Sequence, residues 1–399
     1  MRVLFTTTPA PGHLHPLVPL AHAAVAAGHE VAFATGASMV PAVEAMGFRA
    51  FPAGLGRDGD GDEEFRKLKE AARGLPPVGV EMDRIAVAGV LYGVRTRRMA
   101  PDLVALAERW RPDIMVRDSY EAGAAVAAER LGIPHAALDT TPLYAMEPLR
   151  EQIAAELARA RSEAGLAPDD GLGMLHRHLT LSCAPPGYLW PGTERPATAR
   201  ALRPMPFDRM AEERLPGWIE ESADDRPLVY VTFGTITNRW VPGAFPDLFR
   251  EVLAGLAEEP VRVVATVDRD ADPAELGPQP PHIRVERYVP QSLLLPRCAV
   301  ALSHGGFNTV VGAVDAGLPQ VIIPFLGDHP DNARRCAELG IARVLERERV
   351  TAAAVREAVR DVLDDPGYRT RIQPLTEELH ALPGPAEAVS LLAELSGAA

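Results

Sequence analysis

Residues 282–340 read HIRVERYVPQSLLLPRCAVALSHGGFNTVVGAVDAGLPQVIIPFLGDHPDNARRCAELG. Short apolar runs, Ala299–Leu302 and Gln320–Pro324, alternate with helix-forming stretches. That rhythm predicts a parallel sheet with helices on its faces. Ser303, His304, Gly305 and Gly306 fall where a strand ends and a helix begins. The first N–H groups of a helix have no partner within it, and its dipole is positive there, so the junction predicts an anion site. Gly305 and Gly306 let the backbone approach a ligand closely, and Asn308 and Thr309 add donors in the first helical turn. A buried His beside a tight turn is common without any function. The stronger signal is a second loop, Gly234-Thr235, which follows the strand Leu228–Phe233 and offers N–H groups and a hydroxyl. Together the two loops predict a metal-free clamp for a diphosphate.

Outward from this stretch the same rhythm recurs. Strand patterns at Arg2–Thr7, Val31–Ala34 and Phe48–Phe51 enclose helices ending at Gly28 and Gly47, with the first helix starting at Pro16. This is a β-α-β-α-β beginning of a doubly wound sheet, without the G-x-G-x-x-G turn of a dinucleotide site. Residues 53–80 are rich in Gly, Asp and Pro and read as a mobile loop carrying a short helix, Glu63–Arg73. Strands at Asp113–Arg117, Pro134–Leu138 and Leu179–Cys183 follow, the first two ending on Asp118 and on Asp139-Thr140-Thr141. From Ala184 the pattern breaks in a proline-rich run. A fresh set of strands starts at Leu228, and the last segment is helical, broken at Pro366, Pro374 and Pro383. The expected organisation is an N-terminal domain over 1–204, a linker over 205–225 and a C-terminal domain over 226–375. A helical tail, 376–399, is expected to pack back on the N-terminal domain. The fold class is α/β, with two Rossmann-like domains facing each other across a cleft at the carboxyl ends of their strands.

Composition narrows the function. A net charge of −13 on 399 residues argues against nucleic acid as a partner. Cys183, Cys298 and Cys336 are widely spaced, so neither a disulfide framework nor a zinc site is indicated. No apolar run approaches the length of a membrane span, and the start of the chain passes directly into strand-like sequence, so a soluble, cytoplasmic protein is expected. Asp268, Arg269 and Asp270 sit in an acidic, Pro-flanked loop and read as a solvated turn rather than a metal site.

The stretch at 282–340 resembles the donor-binding signature of family 1 glycosyltransferases, enzymes of the GT-B fold that use nucleoside diphosphate sugars. The resemblance runs in matching order from Arg2 to the 330s. Tyr288, Val289, Pro290 and Gln291 match an aromatic-x-Pro-Gln run whose ring stacks on the nucleobase. His304, Asn308 and Thr309 match the diphosphate contacts, and Asp328 and His329, followed by Asn332-Ala333, match residues that hold sugar hydroxyls. Two positions depart from the plant-type, UDP-using pattern. Gly312 stands where those members carry a Glu on the ribose hydroxyls, which resembles bacterial members using dTDP-deoxysugars. His329 replaces a Gln and offers fewer hydrogen bonds, in keeping with a deoxysugar.

His13 matches the family's general base, with His15 its neighbour and competitor. An imidazole titrates near neutrality and suits removal of a proton from an acceptor hydroxyl. Asp118, which also reads as an ordinary helix-capping Asp, matches the strand-end Asp that orients this base. The resemblance therefore implies an inverting transfer of a (deoxy)sugar, with dTDP as leaving group, to a hydroxyl of an apolar natural product such as a polyketide or macrolide aglycone. The nucleotide sugar is then a substrate, no cofactor or metal is called for, and a homodimer is left open. Acceptor-side apolar residues are Leu91, Tyr92, Met99, Tyr144 and Met146. The rival readings are a sugar-nucleotide epimerase or hydrolase of the same fold and a non-catalytic partner protein.

Overall fold

Thirteen strands are seen in the computed structural model, which describes residues 1–76, 79–139, 148–210, 213–220, 224–234, 243–268 and 271–398. Thr140, Thr141, Tyr144, Met146, Thr235, Arg269 and Asp270 lie outside the described residues. The chain divides into two units. The first comprises Met1–Ala184, Pro191–Phe207 and Leu382–Ala399, and the second Pro185–Trp190 and Asp208–Ala381.

The first unit holds seven parallel strands in the order β3-β2-β1-β4-β5-β6-β7. These are β1 Arg2–Thr6, β2 Glu30–Thr35, β3 Arg49–Pro52, β4 Ile114–Asp118, β5 His135–Asp139, β6 Leu179–Ser182 and β7 Ala199–Ala201. Val3, Leu4 and Phe5 are wholly buried, as expected for a central strand covered by helices on both faces. Phe5 sits in register with Phe33 on one side and Val116 on the other. The second unit repeats the scheme with six parallel strands in the order β10-β9-β8-β11-β12-β13. Here β8 is Leu228–Thr232, β9 Arg262–Thr266, β10 Ile283–Glu286, β11 Val300–Ser303, β12 Gln320–Ile322 and β13 Ala342–Val344. Both orders are those of a doubly wound Rossmann sheet.

Several local expectations are corrected. The first helical segment starts at Pro11 rather than Pro16, so His13 lies in the short helix Pro11–Leu14 and His15 in the turn that follows. Pro11 fits because the N–H it lacks would have no helical partner there. Pro374 does not end its helix, which runs from Gly367 to His380. Ile372, Leu375 and Leu379 are buried along it, and that packing outweighs the one backbone bond the proline removes. Of residues 53–80, expected to be a mobile loop, the part described up to residue 76 is tied down. The N–H of Gly54 donates to Asp102 at 2.8 Å, and Arg98 and Arg97 pair with Asp62 and Glu64 at 2.8 and 2.5 Å.

The ends of the chain also partition by packing. The helix Pro385–Ser396 lies against the helix Val18–Ala26 within the first unit. Helix Gly367–His380 packs on Phe307–Asp315 within the second, so the C-terminal stretch divides after Ala381 rather than at residue 376. Residues 185–190, placed by the sequence reading in the N-terminal domain, belong to the second unit. The buried Arg335 guanidinium needs acceptors and takes the carbonyls of Gly187, Tyr188 and Leu189 at 3.1, 2.6 and 2.8 Å. Among the described residues no helix is long and apolar enough to cross a membrane.

Close helix packing in the second unit depends on Gly255. A Cβ there would stand 2.6 Å from the Ala352 carbonyl oxygen and 2.9 Å from Val355 Cβ. Overpacking of this kind costs about 1–3 kcal/mol. Gly255→Ala is therefore expected to lower the thermal unfolding midpoint by several degrees, measured by calorimetry, without touching either loop cluster described below.

Candidate active site

In the first unit the strand order reverses between β1 and β4, so their outgoing loops diverge and leave a crevice at the carboxyl ends. His13 follows β1, and Asp118 is the last residue of β4. His13 Nδ1 lies 3.1 Å from Asp118 Oδ1. The same carboxylate accepts the N–H of Thr8 at 2.9 Å and that of Tyr120 at 2.9 Å. Asp118 has no exposed surface, whereas the His13 side chain keeps 23%. Burial pushes the Asp118 carboxyl upward, but the His13 ring, the Thr8 N–H and the Thr7 hydroxyl reverse this and hold it below the ordinary carboxylate range. An ionised carboxylate only accepts, so the imidazole proton sits on Nδ1 and the lone pair on Nε2. The arrangement is an imidazole held by a buried, ionised carboxylate. His15 instead stacks on Phe207, with ring centroids 3.7 Å apart, and does not join the pair.

The Asp118 loop is held by Arg117 and Tyr92, neither of which was expected to support it. Arg117, wholly buried, donates from Nη1 to the carbonyls of Asp118, Ser119 and Glu121 at 3.2, 3.1 and 3.4 Å, and from Nη2 to Leu175 at 2.5 Å. The Tyr92 hydroxyl donates to the Ser119 carbonyl at 2.9 Å. Tyr92 was expected on the acceptor side, but it is wholly buried and supports the loop from behind. An Arg inside the apolar run Ile114–Asp118 is the available sequence signal, since a buried guanidinium demands acceptors. Glu121, also buried, accepts the Thr6 hydroxyl at 2.6 Å. Burial, with nearby Asp118 adding to it against the Thr6 hydroxyl and Arg117, pushes its carboxyl up to about 7. A shallow crevice, partly open to solvent, lies beside these loops. Its lining includes Thr8, Leu91, Arg95, Met99, Tyr120 and Glu121.

The second unit places its loops at the equivalent reversal, between β8 and β11. Gly234 follows β8 and His304 follows β11. A Cβ on Gly234 would come 2.9 Å from His304 Nε2, and one on Gly306 would come 2.6 Å from it, so both loops need glycine to admit the ring. Gly305, at φ +80°, turns the chain into the helix Phe307–Asp315. Burial pushes the His304 imidazole down to about 4, with the Thr232 backbone opposing, so it is a neutral ring at pH 7. Its Nδ1 has no hydrogen-bond partner among the described residues. Asn308 is exposed in the first turn of the helix, and Thr309 is buried.

Asp328 and His329 adjoin this helix. Asp328 Oδ2 accepts the Phe307 N–H at 3.3 Å and the Asn332 amide at 2.8 Å. Asn332 in turn donates to the Gly305 carbonyl at 2.9 Å. His329 Nδ1 accepts the Leu326 N–H at 3.3 Å, so only Nε2–H remains to donate. Its ring meets His304 edge-on at 4.5 Å. Tyr288 is 43% exposed, with its hydroxyl on Glu213 at 2.6 Å, which presents the ring as a platform. The Gln291 amide nitrogen is buried without a partner among the described residues. The Val289 side chain packs in the core with Leu228 and Leu294, leaving its backbone alone for a ligand. A Cβ on Gly312 would stand 3.3 Å from Leu295 Cδ1, facing the segment that follows Gln291.

The erythromycin biosynthesis protein CIII-like N-terminal domain matches residues 22–234, and the corresponding C-terminal domain matches residues 250–395. The chain belongs to this family. It is a glycosyltransferase of the GT-B fold. The 4'-demethylrebeccamycin synthase of Lentzea aerocolonigenes is 30% identical over 98% of each chain. The aclacinomycin-T 2-deoxy-L-fucose transferase of Streptomyces galilaeus is 28% identical over 99% of this chain and 96% of its own. The solved structure of the glycosyltransferase VinC in complex with dTDP superposes with a TM-score of 0.78 at 27% identity, covering 100% of both chains.

Glu121 makes the stability of this family member depend on pH. Its folded value of about 7 lies above the ordinary 4.5. Between these values the unfolded chain releases a proton that the folded chain keeps, so stability falls as pH rises from 4.5 to 7. Glu121→Gln is expected to remove this decline, on the order of 2–3 kcal/mol, in urea unfolding followed across that range.

Proposed function

We propose that the enzyme transfers a deoxysugar from dTDP to a hydroxyl of a small natural-product aglycone, with inversion at the anomeric carbon. The reading is carried by the 3.1 Å contact between His13 and the buried Asp118 at the carboxyl ends of β1 and β4. His13 Nε2 takes the acceptor proton, and Asp118 stabilises the imidazolium that forms. The acceptor oxygen bonds to the anomeric carbon as the bond to the diphosphate breaks, and in-line displacement inverts that centre. Charge developing on the leaving diphosphate meets the positive end of the helix Phe307–Asp315 and the neutral donor His304.

The donor preference is supported by Gly312, where no carboxylate is present to bind a ribose 2′-hydroxyl. The dTDP held by VinC agrees with it. His329 keeps one donor for the sugar, which suits a substrate with fewer hydroxyls, and the 2-deoxy-L-fucose transferase among the relatives supports this. Leu91 and Met99 line the open crevice beside the dyad and offer apolar surface at its rim to an aglycone. The rival readings, an epimerase or hydrolase and a silent partner protein, gain nothing from relatives named as a synthase and a transferase.

Two measurements test the reading. His13→Ala and Asp118→Asn are each expected to lower kcat by roughly 10²–10⁴-fold while leaving dTDP binding intact; retained turnover in His13→Ala would overturn the base assignment. Calorimetry should show dTDP binding tighter than UDP, and the reverse order would remove the Gly312 argument. Gly312→Glu is expected to shift that balance toward UDP.

A further inference from the structure

Three arginines stand close together at residues 95, 97 and 98, and two of them are neutralised. Arg97 pairs with Glu64 and Glu156 at 2.5 Å each, and Arg98 pairs with Asp62 at 2.8 Å. Arg95 differs. Its Nη1 donates to the carbonyls of Leu55 and Gly56 at 2.9 and 3.2 Å, and its Nη2 to the carbonyl of Arg57 at 2.9 Å. The guanidinium also lies over the Phe65 ring, 5.1 Å from its centroid. Among the described residues no carboxylate comes within 4.0 Å of it, and Asp60 and Asp58 act on it only from further away. Burial lowers its basicity to about 10, against the pull of those two carboxylates.

Arg95 is also the one of the three that lines the crevice beside His13 and Asp118. A guanidinium has five N–H groups, and no more than three are used by the carbonyls. A cation partly withdrawn from water, with only neutral hydrogen-bond partners, is incompletely compensated, and an anionic ligand oxygen would complete it. The rest of the lining mixes the apolar Leu91 and Met99 with the buried Glu121, whose raised carboxyl leaves Arg95 as the cation of the crevice.

We propose that Arg95 reads an anionic oxygen on the acceptor, so that the preferred aglycone carries a carboxylate or an equally acidic enol beside its apolar body. This rests on the reading that the first unit binds the acceptor. Arg95 is thereby a specificity-determining residue, acting on the acceptor at a point apart from the hydroxyl that His13 deprotonates. No covalent step involves it.

The test uses the full-length protein and a matched pair of probes, 1,8-dihydroxyanthraquinone and its 3-carboxylic acid, titrated by calorimetry in the presence of dTDP. The acid is expected to bind at least about tenfold tighter, the range of a charge-assisted hydrogen bond. Arg95→Met should abolish that preference while leaving dTDP affinity unchanged, and Arg95→Lys should keep part of it. Equal binding of the two probes by the wild type, or failure of the acid to bind, overturns the proposal. So does a preference that survives Arg95→Met, or a large loss of dTDP affinity in that variant, which would give Arg95 to the donor instead. Should Arg95→Met not fold, the wild-type comparison and Arg95→Lys decide. Transfer to aglycones without any acid preference would sink this inference alone. An acid preference dependent on Arg95 in a protein that transfers nothing would sink the proposed function and leave the anion site standing.

Discussion

Neighbouring parallel strands whose connections run to opposite faces of a sheet cannot close the gap between their outgoing loops. That constraint operates twice in this chain, between β1 and β4 and between β8 and β11. Each reversal places one imidazole ring just beyond a buried strand: His13 after β1, and His304 after β11. The rest of each unit serves to keep those strands side by side. The apolar runs Val3–Phe5 and Val300–Leu302 are wholly buried, and a shift of register would carry the loops with it.

The two rings are then set to different tasks by their surroundings. His13 is partly exposed, with its Nδ1 held by an ionised carboxylate. His304 is enclosed by glycine backbone, and its burial keeps it neutral. A similar contrast separates two carboxyls in one loop. Asp118 receives two backbone N–H groups and a ring, and stays charged. Glu121, three residues on, is raised by burial and by Asp118 itself, against the Thr6 hydroxyl that donates to it. Environment rather than residue type assigns the role.

Much of the architecture was legible because central strands buried on both faces, such as those holding Val3–Phe5 and Val300–Leu302, are apolar without interruption. β7, Ala-Arg-Ala, and β13, Ala-Arg-Val, were missed because a central arginine breaks each short run and neither is buried throughout. Pro374 was misread because a local breaker rule was applied where packing by Ile372 and Leu375 prevails. In the site, His304 and its glycines announced themselves by type and spacing. The pairing of His13 with Asp118, 105 residues apart, came from family resemblance, since no local pattern encodes it. Arg117, Glu121 and Arg95 escaped notice because charged side chains read as surface until the fold shows them enclosed.

The short insertion Pro185–Trp190 has a consequence for how this enzyme can be divided. The chain passes from one unit to the other after Ala184, Trp190, Phe207 and Ala381, so neither unit is a single contiguous stretch. Tyr188 donates to Asn332 at 3.2 Å, and Asn332 secures both Gly305 and Asp328. Splitting the gene once near codon 207 would strip Arg335 of its three carbonyls and leave the His304 turn without its backing. Chimaeras that exchange donor specificity between relatives must therefore carry this hexapeptide along with the C-terminal half.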